Sequence, residues 1–522
     1  MKEIKTKLYL LVYSIIISVL EVIGYNLDKY DTAKLNYIST YLYIILFSII
    51  LFIILFLLSK IKFKGIKSNL IDNLFNNKYI IFILIILAWL IPLISMYPGN
   101  FAYDAGTQLR MVKFNVLTKY HPVMHTMFLY IPIVILGNLF KSYDIGLLIH
   151  SIIQMIIMAS IFTYTLRYLY KKKFNSIILL IFLLIYMFLP THSVFSISTT
   201  KDVIFSGLFN LVFIFIYELS TNTEEFLSKK KNIIITIILL FLLFSFRNNM
   251  IYAFIVFIPF ILIVLRKYFK KVLVICISSL LLFGVYDITL TKVFKINNGP
   301  RIEMFNSIVQ QIARVYNKED ISSKDKKEIE KLYLNDSLKK YNSHMTDPVK
   351  DNFNSEELLN NKSKYLKLYI KLGTKYPLTY IDSVLNTSYG YVYLNEKLPQ
   401  KGTKSYMGVQ CLNTDNDTFM GSDDCKTNKV RDIYYDLLEN ASYQKIPILN
   451  ILMNMSVYSL ILIFVICYLI HKKDYKKLLP ILLISIYLLT NILAPVALTR
   501  YMYPLFTLIP LIIFCIYNKK EN

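Results

Sequence analysis

Several things are scarce in this chain, and each scarcity narrows its function. No P-loop and no G-x-G-x-x-G occurs in its 522 residues, so the usual phosphate-cradling loops of nucleotide-binding proteins are missing. Acidic residues are few, 34 against 58 Lys and Arg, which leaves a formal charge of +24. No internal repeat stands out, which disfavours the inverted-repeat transporter architectures. The five cysteines are too few for a disulfide scaffold. Cys276, Cys467 and Cys515 sit in apolar runs and suit inert packing. Cys411 and Cys425 fall in the one large polar segment and suit a disulfide loop if it faces an oxidising compartment, although two cysteines alone leave the pairing open.

What the chain has instead is apolar length. It is 56% hydrophobic with a mean hydropathy of +0.50. Runs of the roughly 17–25 apolar residues needed to cross a bilayer recur along it. An all-α polytopic membrane protein follows. The basic residues lie in short clusters between apolar segments, the positive-inside pattern, which accounts for the charge through membrane topology and anionic lipid rather than nucleic acid. The N-terminal run has a basic start but no small-x-small cleavage site, so it is expected to remain as a first helix. Heavy use of Ile, Lys, Asn and Tyr suggests an AT-rich bacterial genome and hence a bacterial cytoplasmic membrane.

Apolar segments fall at about 8–25, 38–59, 79–96, 127–140, 145–168, 176–190, 203–219, 232–246, 250–265, 272–287, 447–470, 478–495 and 503–517. If all crossed, the basic loop with Lys60, Lys62, Lys64 and Lys67 and the one with Arg167 and Lys171 to Lys173 would lie on opposite sides. The conflict disappears if 127–140, short and preceded by His121-Pro122, lies in the outer interface. Twelve spans then result. Both termini, including Lys519-Lys520, are cytoplasmic. The expected layout is an N-terminal membrane domain over 1–287, whose first outer loop is 97–144, then an extracytoplasmic domain over 288–446, small and mostly helical, and C-terminal membrane helices over 447–522. In the outer domain, Gln310, Gln311 and Arg314 are expected on a solvated helix face or along an acceptor groove. Glu21, near the outer end of the first span, is expected to snorkel.

On this topology, polar residues from distant loops meet at one membrane level. Tyr103, Asp104 and Gln108 follow the third span, Lys201 and Asp202 precede the 203–219 helix, Arg247 and Asn248 end the 232–246 helix, and Arg500-Tyr501 precede the last span. Positive-inside bias works against cations on the outer side, so those present need a reason. An acid with three cations suits an anion site at headgroup level, and the natural anion there is a lipid phosphate. The plainer reading of Asp104 is a helix cap or a partner for Arg110. His121 and His125 have i,i+4 spacing and would need Asp104 to make a metal site, a thin ligand set, so contact with substrate or a cap on the interfacial helix fits better. No metal and no cofactor is expected.

The acid soon after an early span, the His-Pro leading into an interfacial helix (YHPVMHTMFLYIPIVILGNLF) and the late Arg500-Tyr501 resemble the glycosyltransferase C superfamily, in particular the protein mannosyltransferases and lipid A aminoarabinose transferases. The likeness spans roughly 79–265, and the C-terminal spans loosely. The chain departs from that pattern in two extra leading spans, a single acid where a pair is frequent, and an outer domain placed before the last three spans. The resemblance implies an inverting transfer from a polyprenyl-phosphate sugar to a cell-envelope glycan, lipid or protein. Asp104 would be the base, Lys201, Arg247 and Arg500 would hold the donor phosphate, and Tyr103, Gln108, His121, His125, Asp202, Asn248 and Tyr501 would contact substrate. Rival functions are a polymerase or ligase of lipid-linked glycans and a flippase or transporter of lipid-linked saccharides. The flippase calls for charges near the bilayer midplane, where these spans are almost uniformly Ile, Leu and Phe.

Overall fold

A computed structural model describes residues 7–35, 38–60, 69–299, 305–397, 406–415 and 418–517. Lys62, Lys64, Lys67, Lys519 and Lys520 lie outside the described residues. The described chain is almost wholly helical. Seven of its helices are long and apolar enough to cross a membrane, or up to nine if each of two bent pairs, Ser176–Phe188 with Pro190–Ile197 and Pro447–Met453 with Met455–His471, counts as one span. The protein is therefore a polytopic helical membrane protein.

Burial ranks the spans. The Asp202–Thr221 and Thr499–Ile516 helices are 83% and 78% buried, whereas Ile38–Leu58 is 6% buried and apolar on every side. The first two are thus the axis of the bundle and the last is its lipid-facing edge. They also carry Lys201, Asp202 and Arg500 at one end, so the centre of the packing fixes the candidate site.

The loops between helices bond to one another in two separate groups. At one end Arg167 donates to the carbonyls of Phe75 and Asn76, Tyr170 to Asp72, and Lys172 pairs with Glu218. At the other end Lys201 and Arg500 meet Asp104, Asn248 donates to the Lys119 carbonyl and Asn249 to Thr490. The segment expected at the interface is a short apolar helix, Val123–Leu139, with a π-helical turn over Ile131–Leu136. The chain then reverses tightly into the Tyr143–Lys171 helix. A Cβ on Gly146 would collide with the Ile133 carbonyl there, so glycine permits the close approach.

Most of the buried apolar residues of 288–446 divide between two cores. Val309, Ile312, Leu332, Val349, Leu368 and Tyr380 form a separate apolar core. Tyr391, Tyr406, Val409, Leu438 and Tyr443, later in the same stretch, join the main core of the helical bundle instead. The rings of this later part are buried with the helical bundle rather than with the separate core. Gln310 and Arg314 are buried, contrary to the solvated face or acceptor groove expected. Arg314 reaches Asp31 at 3.0 Å and Asp382 at 3.8 Å, and Gln310 donates to the Asn342 carbonyl at 2.6 Å. Gln311 donates to the Tyr380 carbonyl. The polar side of this amphipathic helix, Asn306–Lys318, is a second packing face that clamps the separate core to the end of the Leu8–Tyr30 helix. Glu21 likewise does not snorkel but accepts a hydrogen bond from the Leu394 amide at 2.9 Å. Cys411 and Cys425 form a disulfide, with Cα atoms 5.8 Å apart, across the hairpin of Cys411–Asn413 and Met420–Ser422.

Candidate active site

The loop that carries Asp104 is held by a clip that the sequence did not announce. Asn100 forms a parallel bridge with Ser198, and its amide group donates to the Ser198 hydroxyl and the Gly408 carbonyl, both at 2.8 Å. Its side-chain oxygen accepts from the Gln410 amide at 2.9 Å, and the Phe101 amide donates to the Gln410 carbonyl at 2.9 Å. One residue away, the Ala102 amide donates to Thr199 Oγ1 at 3.1 Å. Three stretches far apart in sequence are thereby zipped side by side, which brings Asp104 and Lys201 together. Asn100 sat in the open between Gly99 and Phe101, and a side chain with two donors and an acceptor beside a glycine was the available signal.

Asp104 lies at the start of the short Ala105–Lys113 helix but makes no side-chain cap there. Arg110 is not its partner either and donates to Thr107. Its Oδ2 instead accepts from Lys201 Nζ at 2.9 Å and Arg500 Nη1 at 3.0 Å, with His121 Nδ1 at 3.9 Å. His121 also lies 3.4 Å from Lys201 Nζ. All three groups converge on one carboxylate oxygen, and the side chain keeps 29% exposure. Burial pushes the Asp104 carboxyl up, but Lys201, Arg500 and His121 more than offset it and hold the group well below the usual carboxylate range. In this state Asp104 is firmly ionised and a weak base.

The residue before it is strained. Tyr103 has φ of +65°, a left-handed conformation that a bulky side chain seldom adopts. Two contacts hold it there: its hydroxyl accepts from the Gly408 amide at 3.1 Å, and the Arg500 guanidinium lies 4.9 Å from its ring centroid.

Arg247 does not join that carboxylate. It pairs with Asp202, which is fully buried, and also donates to Asn249 at 3.2 Å. The second oxygen of Asp202 accepts from Thr200 Oγ1 at 2.8 Å. Both oxygens of Asp202 are therefore engaged, by Arg247 and Thr200. Tyr501 links the two clusters, since the guanidinium carbons of Arg247 and Arg500 lie 5.0 and 4.9 Å from its ring centroid. Three cations face two carboxylates, which leaves one surplus positive charge for an incoming anion.

The remaining expected residues are divided. Gln108 and His125 are both buried: Gln108 Oε1 lies 2.8 Å from His125 Nδ1 and 3.2 Å from the Thr126 hydroxyl that donates to it. Burial, reinforced by His150, Lys201 and His121, lowers the His125 pKa far below the usual range, so the ring is neutral. These two residues brace the Val123–Leu139 helix against the loop that carries Asp104. Asn248 binds the Lys119 carbonyl and thereby ties the 246–250 turn to the same loop. His121 and His125 thus go to different partners, and among the described residues no group of three or more His, Cys, Asp or Glu could hold a metal ion.

Residues 112–522 match the family model described as "Family of unknown function (DUF6020)". That is most of the chain, and the protein belongs to this family. No curated protein and no solved structure matches it.

Proposed function

We propose that this member of the DUF6020 family is a membrane glycosyltransferase that moves a sugar from a polyprenyl-phosphate donor to a cell-envelope acceptor. The observation that carries the proposal is a partly exposed carboxylate, Asp104, held by Lys201 and Arg500 from loops 97 and 396 residues away. The charge-sorted loops support twelve spans with both termini in the cytoplasm and this site outside, in a bacterial cytoplasmic membrane. The resemblance to the glycosyltransferase C superfamily points the same way.

The chemistry follows from the charges. The donor is a phosphodiester with one negative charge, and the surplus cation suits it. Its phosphate competes for Lys201 and Arg500 and draws them off Asp104. The freed carboxylate then accepts the proton as the acceptor oxygen attacks the anomeric carbon. The bond from that carbon to the phosphate oxygen breaks, the configuration inverts, and polyprenyl phosphate leaves with a second negative charge. Asp104 loses one negative charge as the phosphate gains one, so the total charge of the site stays constant and the cations need only shift partner. Donor binding thus activates the base, and an empty site holds it inert. Arg247 acts through Tyr501 and Asp202 as a positioning residue, not as a phosphate ligand.

The test is reconstitution of the full chain in proteoliposomes with undecaprenyl-phosphate-linked hexoses. Removing one transition-state donor costs about 100- to 1,000-fold in turnover, so Lys201→Gln and Arg500→Gln are each expected to lose activity on that scale. Wild-type protein that neither binds nor consumes any such donor would overturn the proposal.

A further inference from the structure

The end of the bundle opposite the proposed active site has a feature of its own. A cavity of about 830 Å³ opens there beside the Met455–His471 and Tyr475–Asn491 helices. Ile263, Leu469 and Cys515 supply apolar wall, and Lys472, Lys473, Lys476 and Lys477 supply charge. One acid lines the cavity, Asp474, and it is already engaged. Lys477 Nζ lies 3.6 Å from its Oδ2, and its Oδ1 accepts from the Lys477 amide to cap the helix. Lys472 lies 5.7 Å from the Tyr468 ring centroid. Among the described residues, Lys472, Lys473 and Lys476 take part in no ion pair.

Basic residues at a cytoplasmic helix end are ordinary topology signals. Two observations go beyond that. The lysines border a cavity of ligand size rather than a convex surface. Its edge also carries exposed apolar groups, Ile263 at 70% and Tyr475 at 50% exposure. Three mutually repelling cations beside a lipid-facing apolar wall fit one ligand chemistry, a phosphate group attached to an acyl chain. We propose that this cavity binds the headgroup of an anionic phospholipid, its phosphate among Lys472, Lys473 and Lys476 and its chain along Ile263. A soluble phosphate shares the charge but has no use for the apolar wall.

The experiment measures lipid retained by the purified full-length protein in native mass spectrometry, together with its unfolding temperature. Nanodiscs of phosphatidylglycerol, nanodiscs of phosphatidylcholine and inorganic phosphate in detergent are compared. Each surface lysine contributes about 1 kcal/mol to anionic lipid binding, so removing three costs up to about 100-fold in affinity. Lys472→Gln/Lys473→Gln/Lys476→Gln is expected to lose retained phosphatidylglycerol and its thermal stabilisation. The matching Lys→Arg triple variant is expected to keep both, and so is Lys229→Gln/Lys230→Gln/Lys231→Gln at another basic loop. Equal loss in the 229–231 variant would reduce the effect to general interfacial charge and overturn the proposal. Undiminished phosphatidylglycerol binding in the 472/473/476 variant would overturn it too, as would equal stabilisation by inorganic phosphate. Should the Gln variant misfold, the Lys→Arg variant with phosphatidylcholine against phosphatidylglycerol still decides: no preference for the anionic lipid sinks the site.

Discussion

Asp104→Asn separates the base from the residue's other roles. The substitution keeps the shape of the side chain and its ability to accept hydrogen bonds, but removes the charge and the basicity. Loss of a general base costs about 100- to 10,000-fold in rate. Donor binding should move the other way. In the wild type, Lys201 and Arg500 are tied to Oδ2 at 2.9 and 3.0 Å, and a donor phosphate must compete for them. Their side chains are only 15% and 11% exposed, while Asp104 is 29% exposed, so the pairing is worth about 1 kcal/mol after screening. Its removal predicts about fivefold tighter donor binding. The assay pairs single-turnover transfer in proteoliposomes with equilibrium binding of an undecaprenyl-phosphate hexose. Transfer within a few-fold of wild type would refute the base. Donor affinity weakened by more than tenfold would refute the competition between carboxylate and phosphate.

Other consequences are sharper in stability or pH than in rate. Asp202→Asn leaves Arg247 buried without its carboxylate, a change that typically costs about 3–5 kcal/mol; the unfolding temperature should fall well below that of Asp104→Asn, and equal temperatures would contradict the assignment of Asp202 to structure. The depressed Asp104 carboxyl contributes stability that is present above the ordinary Asp value of 3.8 and lost only as pH falls through its still lower folded value. Once donor phosphate takes the cations, that pKa should rise, so the acid limb of kcat is expected at higher pH than the acid limb of kcat/KM; coincident limbs in the two profiles would argue against donor-triggered release. Cys411→Ser opens a loop of 14 residues, for which chain entropy gives about 3 kcal/mol. Reductant should therefore lower the unfolding temperature of the wild type and leave the variant unmoved, and insensitivity of the wild type would count against the bond.

The sequence carried the site's charges better than their pairing. Asp104, Lys201 and Arg500 were legible because charged residues at helix ends survive beside lipid only for a reason, and the positive-inside bias made cations expected on the outer side conspicuous. Arg247 and Asp202 were equally visible, yet one-dimensional order could not tell which carboxylate each cation would choose. That choice depends on burial: Asp202 is fully enclosed at the start of the axial helix and needs a fixed partner, whereas Asp104 sits on a loop with access to solvent. Gln108 and His125 looked like substrate ligands because polar residues near an acid invite that reading, but they hydrogen-bond each other inside the packing. Asn100 and the 406–410 segment were missed because their contribution is hydrogen bonding between the Asn100 side chain and the backbone across some 300 residues, which leaves no periodic trace. A helix carrying Gln310, Gln311 and Arg314 was legible, but its polar face read as solvated or as an acceptor groove, since pattern alone does not separate solvent from a buried partner such as Asp31.

The most direct test of the central claim follows the lipid product. Wild-type protein in proteoliposomes, given an undecaprenyl-phosphate hexose and an envelope-derived acceptor, is expected to release one undecaprenyl phosphate for each sugar transferred, with inverted configuration at the anomeric carbon. Sugar transfer without release of undecaprenyl phosphate, or release that persists in Asp104→Asn at the wild-type rate, would contradict it.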